Sequence, residues 1–157
     1  AGKKVALADC AGKIVVLEWI NPECPFWMRH YKAGTMVKLA GKYKPKGVVW
    51  LAVNSTKHWD QAKNKAFHAK NKLPYPFLVD QSGKVGKLFG ARTTPHMFIL
   101  DKKHNLAYAG AIDDDPAGRK GAAATNHVAK AVDELLAGKT VSKPRTKAYG
   151  CSVKYAR

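Results

Sequence analysis

Ile14-Val15-Val16-Leu17-Glu18-Trp19-Ile20, followed at once by Asn21-Pro22-Glu23-Cys24-Pro25-Phe26-Trp27, is the stretch on which the fold assignment turns. Its first seven residues are almost all apolar and rich in β-branched side chains, as in a strand covered on both faces. Pro22 and Pro25 stop that strand, and a helix is predicted to start near Cys24. Gly34 interrupts the helix, and Thr35 is placed to cap its second half. Working outward, Val48-Val49-Trp50-Leu51-Ala52-Val53 reads as a second buried strand, the parallel neighbour of the first. Trp59, Ala62, Ala66 and Ala69 recur at helical spacing ahead of Pro74. Phe77-Leu78-Val79-Asp80 is a short strand and 85–89 a short helix. Met97-Phe98-Ile99-Leu100 and Leu106-Ala107-Tyr108-Ala109 form a hairpin. Val128, Ala131, Val132, Leu135 and Leu136 make an amphipathic helix that stops at Gly138. A further short strand is predicted over 4–7. The alternation predicts an α/β sandwich with a central mixed β-sheet flanked by helices. One domain over 1–157 is expected, with 141–157 as a C-terminal tail.

Of the 157 residues, 46% are apolar and 25% charged, which excludes disordered and fibrous classes. No apolar run reaches the roughly 20 residues a membrane-spanning helix needs, so no membrane span is expected. Lys and Arg total 28 against 11 acids, a net charge of +17. These cations are scattered, the longest runs being pairs such as Lys3-Lys4 and Arg119-Lys120. No nucleic-acid partner is therefore expected, while an acidic protein partner stays open. No flavin, nicotinamide or haem motif is present, and no cofactor is expected. The chain opens at Ala1 without a methionine, which favours a processed protein of the bacterial periplasm or a secreted one over a cytoplasmic one.

Three cysteines, Cys10, Cys24 and Cys151, are too few for a disulfide framework and too far apart for a zinc knuckle. Cys24 follows a buried strand and opens a helix, whose free N–H groups and dipole favour a thiolate. Arg29 and His30 are expected to add positive potential. The bland alternative is a small buried hydrophobe. Cys10 sits in an apolar slot and is expected to pack in the core or to bridge to Cys151. Cys24, Met28, His30, His96 and Met97 include ligand types suited to copper. Only one of them is a cysteine, and His30 falls on a poorly matched helix face, so no metal site is expected. Asp113-Asp114-Asp115-Pro116 lacks calcium-loop spacing and reads as a solvated turn.

Residues 15–19 with 21–26 resemble the active-site segment of the thioredoxin superfamily. The likeness is to its redoxin branch, the peroxiredoxin-like alkyl hydroperoxide reductase/thiol-specific antioxidant proteins and bacterial thioredoxin-family proteins. Thr93-Thr94-Pro95-His96-Met97-Phe98-Ile99-Leu100-Asp101 is similar to that family's cis-proline loop and following strand. Tyr149-Gly150-Cys151-Ser152-Val153-Lys154-Tyr155 is similar to the ending of some small redoxins. The resemblance implies that Cys24 is the attacking cysteine, that Pro95 is cis, and that Thr94 presents its backbone to a bound thiol partner. Glu18 would be the buried acid that moves protons, with a raised pKa on its apolar strand. Arg92, just ahead of the proline loop, is placed to reach Cys24 and stabilise a thiolate or peroxide anion.

Two departures qualify that likeness. Trp27 stands where a Cys-x-x-Cys motif has its second thiol, which removes the ordinary dithiol cycle. Asn21 and Leu17 stand where typical peroxiredoxins carry a hydroxyl residue and a proline. Cys151, in a mobile glycine-containing tail, is left as the resolving thiol. The expected chemistry is reduction of a peroxide through Cys24, with an external thiol reductant closing the cycle. Exchange with a protein disulfide, or a non-enzymatic binding module, are the alternatives.

Overall fold

A computed structural model describes residues 2–157; Ala1, on which the reading of a processed start rests, lies outside the described residues. Five strands form one sheet in the order β3-β2-β1-β5-β6, comprising β1 (Val15–Trp19), β2 (Val49–Asn54), β3 (Phe77–Val79), β5 (His96–Leu100) and β6 (Leu106–Gly110). β1 runs parallel to β2 and antiparallel to β5, so the sheet is mixed, as the alternation of elements predicts. β1 is central and every one of its residues is buried. Its alternate side chains serve opposite faces. Ile14, Val16 and Ile20 pack with Trp27, Met36, Tyr43, Val128 and Val132. Val15, Leu17 and Trp19 pack with Leu51, Val53, Phe98 and Cys10.

The helices are α1 (Pro25–Ala33), α2 (Thr35–Tyr43), α3 (Gln61–Asn71), α4 (Lys84–Phe89) and α5 (His127–Leu136). Asp60 caps α3 through the Lys63 N–H at 2.8 Å, and Asn126 caps α5 through the Ala129 N–H at 2.8 Å. Thr35 does not cap α2: Gly34, at φ 70°, takes the junction in a left-handed conformation, and Thr35 is already helical. α3 ends at Lys72, itself left-handed, two residues ahead of Pro74. Residues 4–7 are not a strand; a 3-10 turn spans Leu7–Cys10, and Asp9 turns back to accept the Ala6 N–H. Val5 and Leu7 are half-exposed, so their alternation does not report a sheet face.

Two further short strands, β4 (Thr93–Thr94) and β7 (Cys151–Ser152), pair antiparallel, Thr93 with Ser152 and Thr94 with Cys151. They bring the tail over the end of β1. The tail is tied along its length. Thr146 N–H donates to Ala109 O at 3.2 Å, Val153 N–H to Arg92 O at 3.0 Å, and Lys57 N–H to Lys154 O at 2.9 Å. The Tyr155 hydroxyl donates to Ala91 O at 2.6 Å, and its ring lies against Gly83 and Gly86. The expectation of a mobile tail is therefore corrected: local sequence is polar, but long-range pairing anchors it.

A methyl group on Gly86 would stand 2.6 Å from the Tyr155 hydroxyl and 2.7 Å from Ser55 Oγ. Gly86→Ala is accordingly expected to lower the unfolding free energy in urea by about 1–3 kcal/mol. It should also make the 144–157 segment sensitive to protease. Unchanged stability and protection would show that the Tyr155 contact does not hold the tail.

Candidate active site

Cys24 is the N-cap residue of α1, with Pro25 in the first helical position, and its side chain is 1% exposed. Asn21 shapes the approach: its carbonyl accepts the Cys24 N–H and its side-chain oxygen the Glu23 N–H, both at 2.9 Å. The Cys24 thiol points to Thr94 O at 2.9 Å, and the Thr94-Pro95 peptide is cis. Burial opposes ionisation of Cys24, yet its pKa lies below the usual thiol value. Hydrogen bonds from the Cys151 thiol, the Thr94 hydroxyl and the Trp27 N–H to the anion outweigh the burial. The buried Thr94 hydroxyl has no other hydrogen-bond partner.

Cys151 reaches this point on β7. Gly150 makes the approach possible: a Cβ there would lie 2.1 Å from Thr94 O, and its φ of 140° is one that side chains avoid. Just upstream, the Tyr149 hydroxyl donates to Asp113 and meets His30 Nε2 at 2.9 Å, while Arg29 donates to it at 3.3 Å. Burial raises the Cys151 pKa, and the neighbouring Cys24 raises it further. The two sulfurs are thus unequal, the buried one being the more acidic.

Glu18 lies wholly buried beneath the site. Trp27 Nε1–H donates to one carboxylate oxygen at 2.6 Å and Trp50 Nε1–H to the other at 2.7 Å. Burial pushes its pKa up to about 7, against these two indole bonds. Trp27 therefore replaces the missing second cysteine with a donor to the buried acid.

Cys24 and Cys151 open into a cleft of about 350 Å³ lined also by Asn21, Glu23, Lys57, His58 and Lys154. Glu23 pairs with His58 at 2.6 Å, which leaves Lys57 and Lys154 as the cleft's uncompensated cations. Arg92 does not serve this site: it is exposed and outside the cleft, and its backbone pairs with His96 Nδ1 and Val153. Arg29 and His30 also face away, Arg29 donating to the carbonyls of Asp115 and Pro116. His96 stacks on Phe98 with its pKa pushed down to about 4, mainly by burial. Cys10 is buried before β1, on the far side of the strand from Cys24, and is a free thiol. It belongs to a different core cluster from Cys24 and Cys151, so the fold does not bring Cys10 to Cys151. Neither lysine carried a motif in the sequence; only Lys154 lay within a recognisable segment.

Two measurements check this electrostatic arrangement. Thr94→Val removes the hydroxyl donor, and the midpoint for alkylation of Cys24 should move upward by about 1 pH unit; no movement would exclude the hydroxyl as a donor. For Glu18 the folded pKa is raised, so its contribution to stability is complete below 4.5 and is lost as pH rises through about 7. His30 and His96, whose pKa values burial lowers, act in the opposite sense at the acidic end. Comparison with Glu18→Gln removes them. Relative to that variant, the protein should lose about 3 kcal/mol between pH 4.5 and 8 in denaturant titrations. A constant difference would contradict the raised pKa.

The AhpC/TSA family matches residues 1–109. The thiol-disulfide oxidoreductase ResA of Bacillus thuringiensis subsp. konkukian (strain 97-27) is 32% identical over 108 residues, 64% of this chain and 56% of ResA. Chloroplastic peroxiredoxin Q of Triticum aestivum is 31% identical over 118 residues, 68% of this chain and 51% of that protein. The chain thus spans about half the length of the curated relatives it matches. An uncharacterized conserved protein from Geobacillus kaustophilus superposes with a TM-score of 0.86 at 30% identity, covering 97% of this chain and 82% of that one, tail included. On the family match, over more than two thirds of its length, the chain belongs to the AhpC/TSA family of thioredoxin-like proteins.

Proposed function

We propose that the protein is a thiol-based oxidoreductase that reduces a peroxide through Cys24, with Cys151 as the resolving thiol. The observation that carries this reading is the meeting of two free thiols at one cleft, Cys24 bonded to the Thr94 carbonyl and Cys151 paired with Thr94 in the β4–β7 ladder. The Cys24 thiolate attacks the terminal peroxide oxygen. The O–O bond breaks, the alcohol or water leaves with a proton, and Cys24 becomes a sulfenic acid. Loss of the Cys24 charge removes one cause of the high Cys151 pKa. Cys151 then gives up its proton and attacks the Cys24 sulfur, expelling water and forming a disulfide.

The external thiol reductant is expected to attack Cys151, the partly exposed sulfur, because Cys24 is buried and is the better leaving thiolate. A second donor thiol frees Cys151, and two donor thiols end as one disulfide. Lys57 and Lys154 suit an anionic donor or an acidic protein partner. A periplasmic or secreted site of action fits a pair that cycles through a disulfide. Among the described residues no helix is long and apolar enough to cross a membrane.

A second reading, exchange with a protein disulfide, is favoured by the similarity to ResA. There Cys24 attacks the foreign disulfide, one partner thiolate leaves, and Cys151 releases the other.

The first test is peptide mapping after one equivalent of hydrogen peroxide. The expected product is a Cys24–Cys151 disulfide. Cys151→Ser should stop at a Cys24 sulfenic acid that a dione reagent traps, and Cys24→Ser should consume no peroxide. A Cys24 that stays reduced and alkylatable would overturn the peroxidase reading.

A further inference from the structure

An extended polypeptide binds beside a strand by adding its own backbone to an unpaired edge. Next to Cys24 that edge is β4. It is already filled, because β7 pairs with Thr93 and Thr94, and Val153 N–H extends the ladder to Arg92 O at 3.0 Å. β7 is the only strand that pairs with β4 among the described residues. The contact is too close to admit anything between the two backbones, since even a methyl group on Gly150 would stand 2.1 Å from Thr94 O. Tyr149 and Tyr155 hold β7 from both sides.

We propose that the tail strand β7 acts as a built-in specificity element. It occupies the backbone edge that a polypeptide disulfide would need and restricts Cys24 to small oxidants. This rests on the reading of Cys24 as the attacking thiol and adds the class of molecule it attacks. Cys24 is 1% exposed, and its remaining approach is the cleft of about 350 Å³. That volume lies near the lower end of small-molecule sites, which run from about 300 to 1,000 Å³. Hydrogen peroxide or a short alkyl hydroperoxide fits there without displacing β7. The expected role of the Thr94 backbone, presentation to a foreign thiol partner, is thereby taken over by the chain's own Cys151.

The test measures two rate constants for the whole protein, by rapid quenching and alkylation of Cys24. One uses hydrogen peroxide, and the other a short peptide closed by a disulfide. The unaltered protein should react with peroxide and barely with the peptide. Gly150→Ala pushes β7 off Thr94 O, and Val153→Pro independently removes a ladder donor. In each, the ratio of peptide to peroxide rate constants should rise by about tenfold or more. The ratio cancels any general loss of thiol reactivity. Comparable rates for both oxidants in the unaltered protein would overturn the proposal and leave Cys24 as the attacking thiol. So would unchanged ratios in both variants once protease sensitivity shows the tail released. Failure of the unaltered protein to react with either oxidant would instead overturn the reading of Cys24, and the proposal with it.

Discussion

The carbonyl oxygen of Thr94 accepts the Cys24 thiol at 2.9 Å, and the rest of the site is arranged around that contact. It joins two segments 70 residues apart: the turn after β1 and the loop before β5. Both strands lie side by side in the sheet, Trp19 opposite His96, so sheet register sets the position of the contact. The same loop offers its outer edge to β7 and so brings the second thiol alongside the first. The sheet and the β4–β7 pairing thus bring the two thiols to one cleft.

Beneath this contact the chain keeps a carboxyl group where an apolar side chain would be easier to bury. The cost of burying Glu18 is offset in part by two indole donors, one from β2 and one from α1. Trp27 is the more informative of the two. At the helical position where a dithiol motif has its second cysteine, it stacks on Tyr31 and is 1% exposed. Its bond to Glu18 helps fix the first turn of α1, and with it the Trp27 N–H that lowers the Cys24 pKa. The thiol that shares the cleft with Cys24 stands on the tail and not on the helix.

Much of this was legible in the sequence. Continuous apolar runs marked β1, β2 and the β5–β6 hairpin, because buried strands carry few polar residues. Cys24 at a strand-to-helix junction and Glu18 on an apolar strand stood out for the same reason. What was not legible depends on tertiary pairing. β7 is two residues long in a polar tail, and only the backbone edge of β4 gives it partners. Arg92 was placed by its nearness in sequence, but proximity to a loop does not decide which way a side chain leaves the backbone. Lys57 and Lys154 meet at the cleft from loops nearly a hundred residues apart, and no local pattern connects them. The strand expected over 4–7 failed because Val5 and Leu7 stay half-exposed and the chain turns at Leu7–Cys10 without pairing.

The pairing of Cys24 with Cys151 also bears on the mechanics of the whole chain. A bond between them would close a loop of 127 positions, about four fifths of the protein. Chain-entropy reasoning puts the worth of so long a cross-link at about 4–5 kcal/mol against unfolding. Each oxidation would therefore staple the chain end to the first helix, and each reduction would release the staple to the hydrogen bonds of β7. Resistance to heat and to proteases would then rise and fall with the redox state of a single pair of atoms. The protein would be toughest in the form that has just met an oxidant.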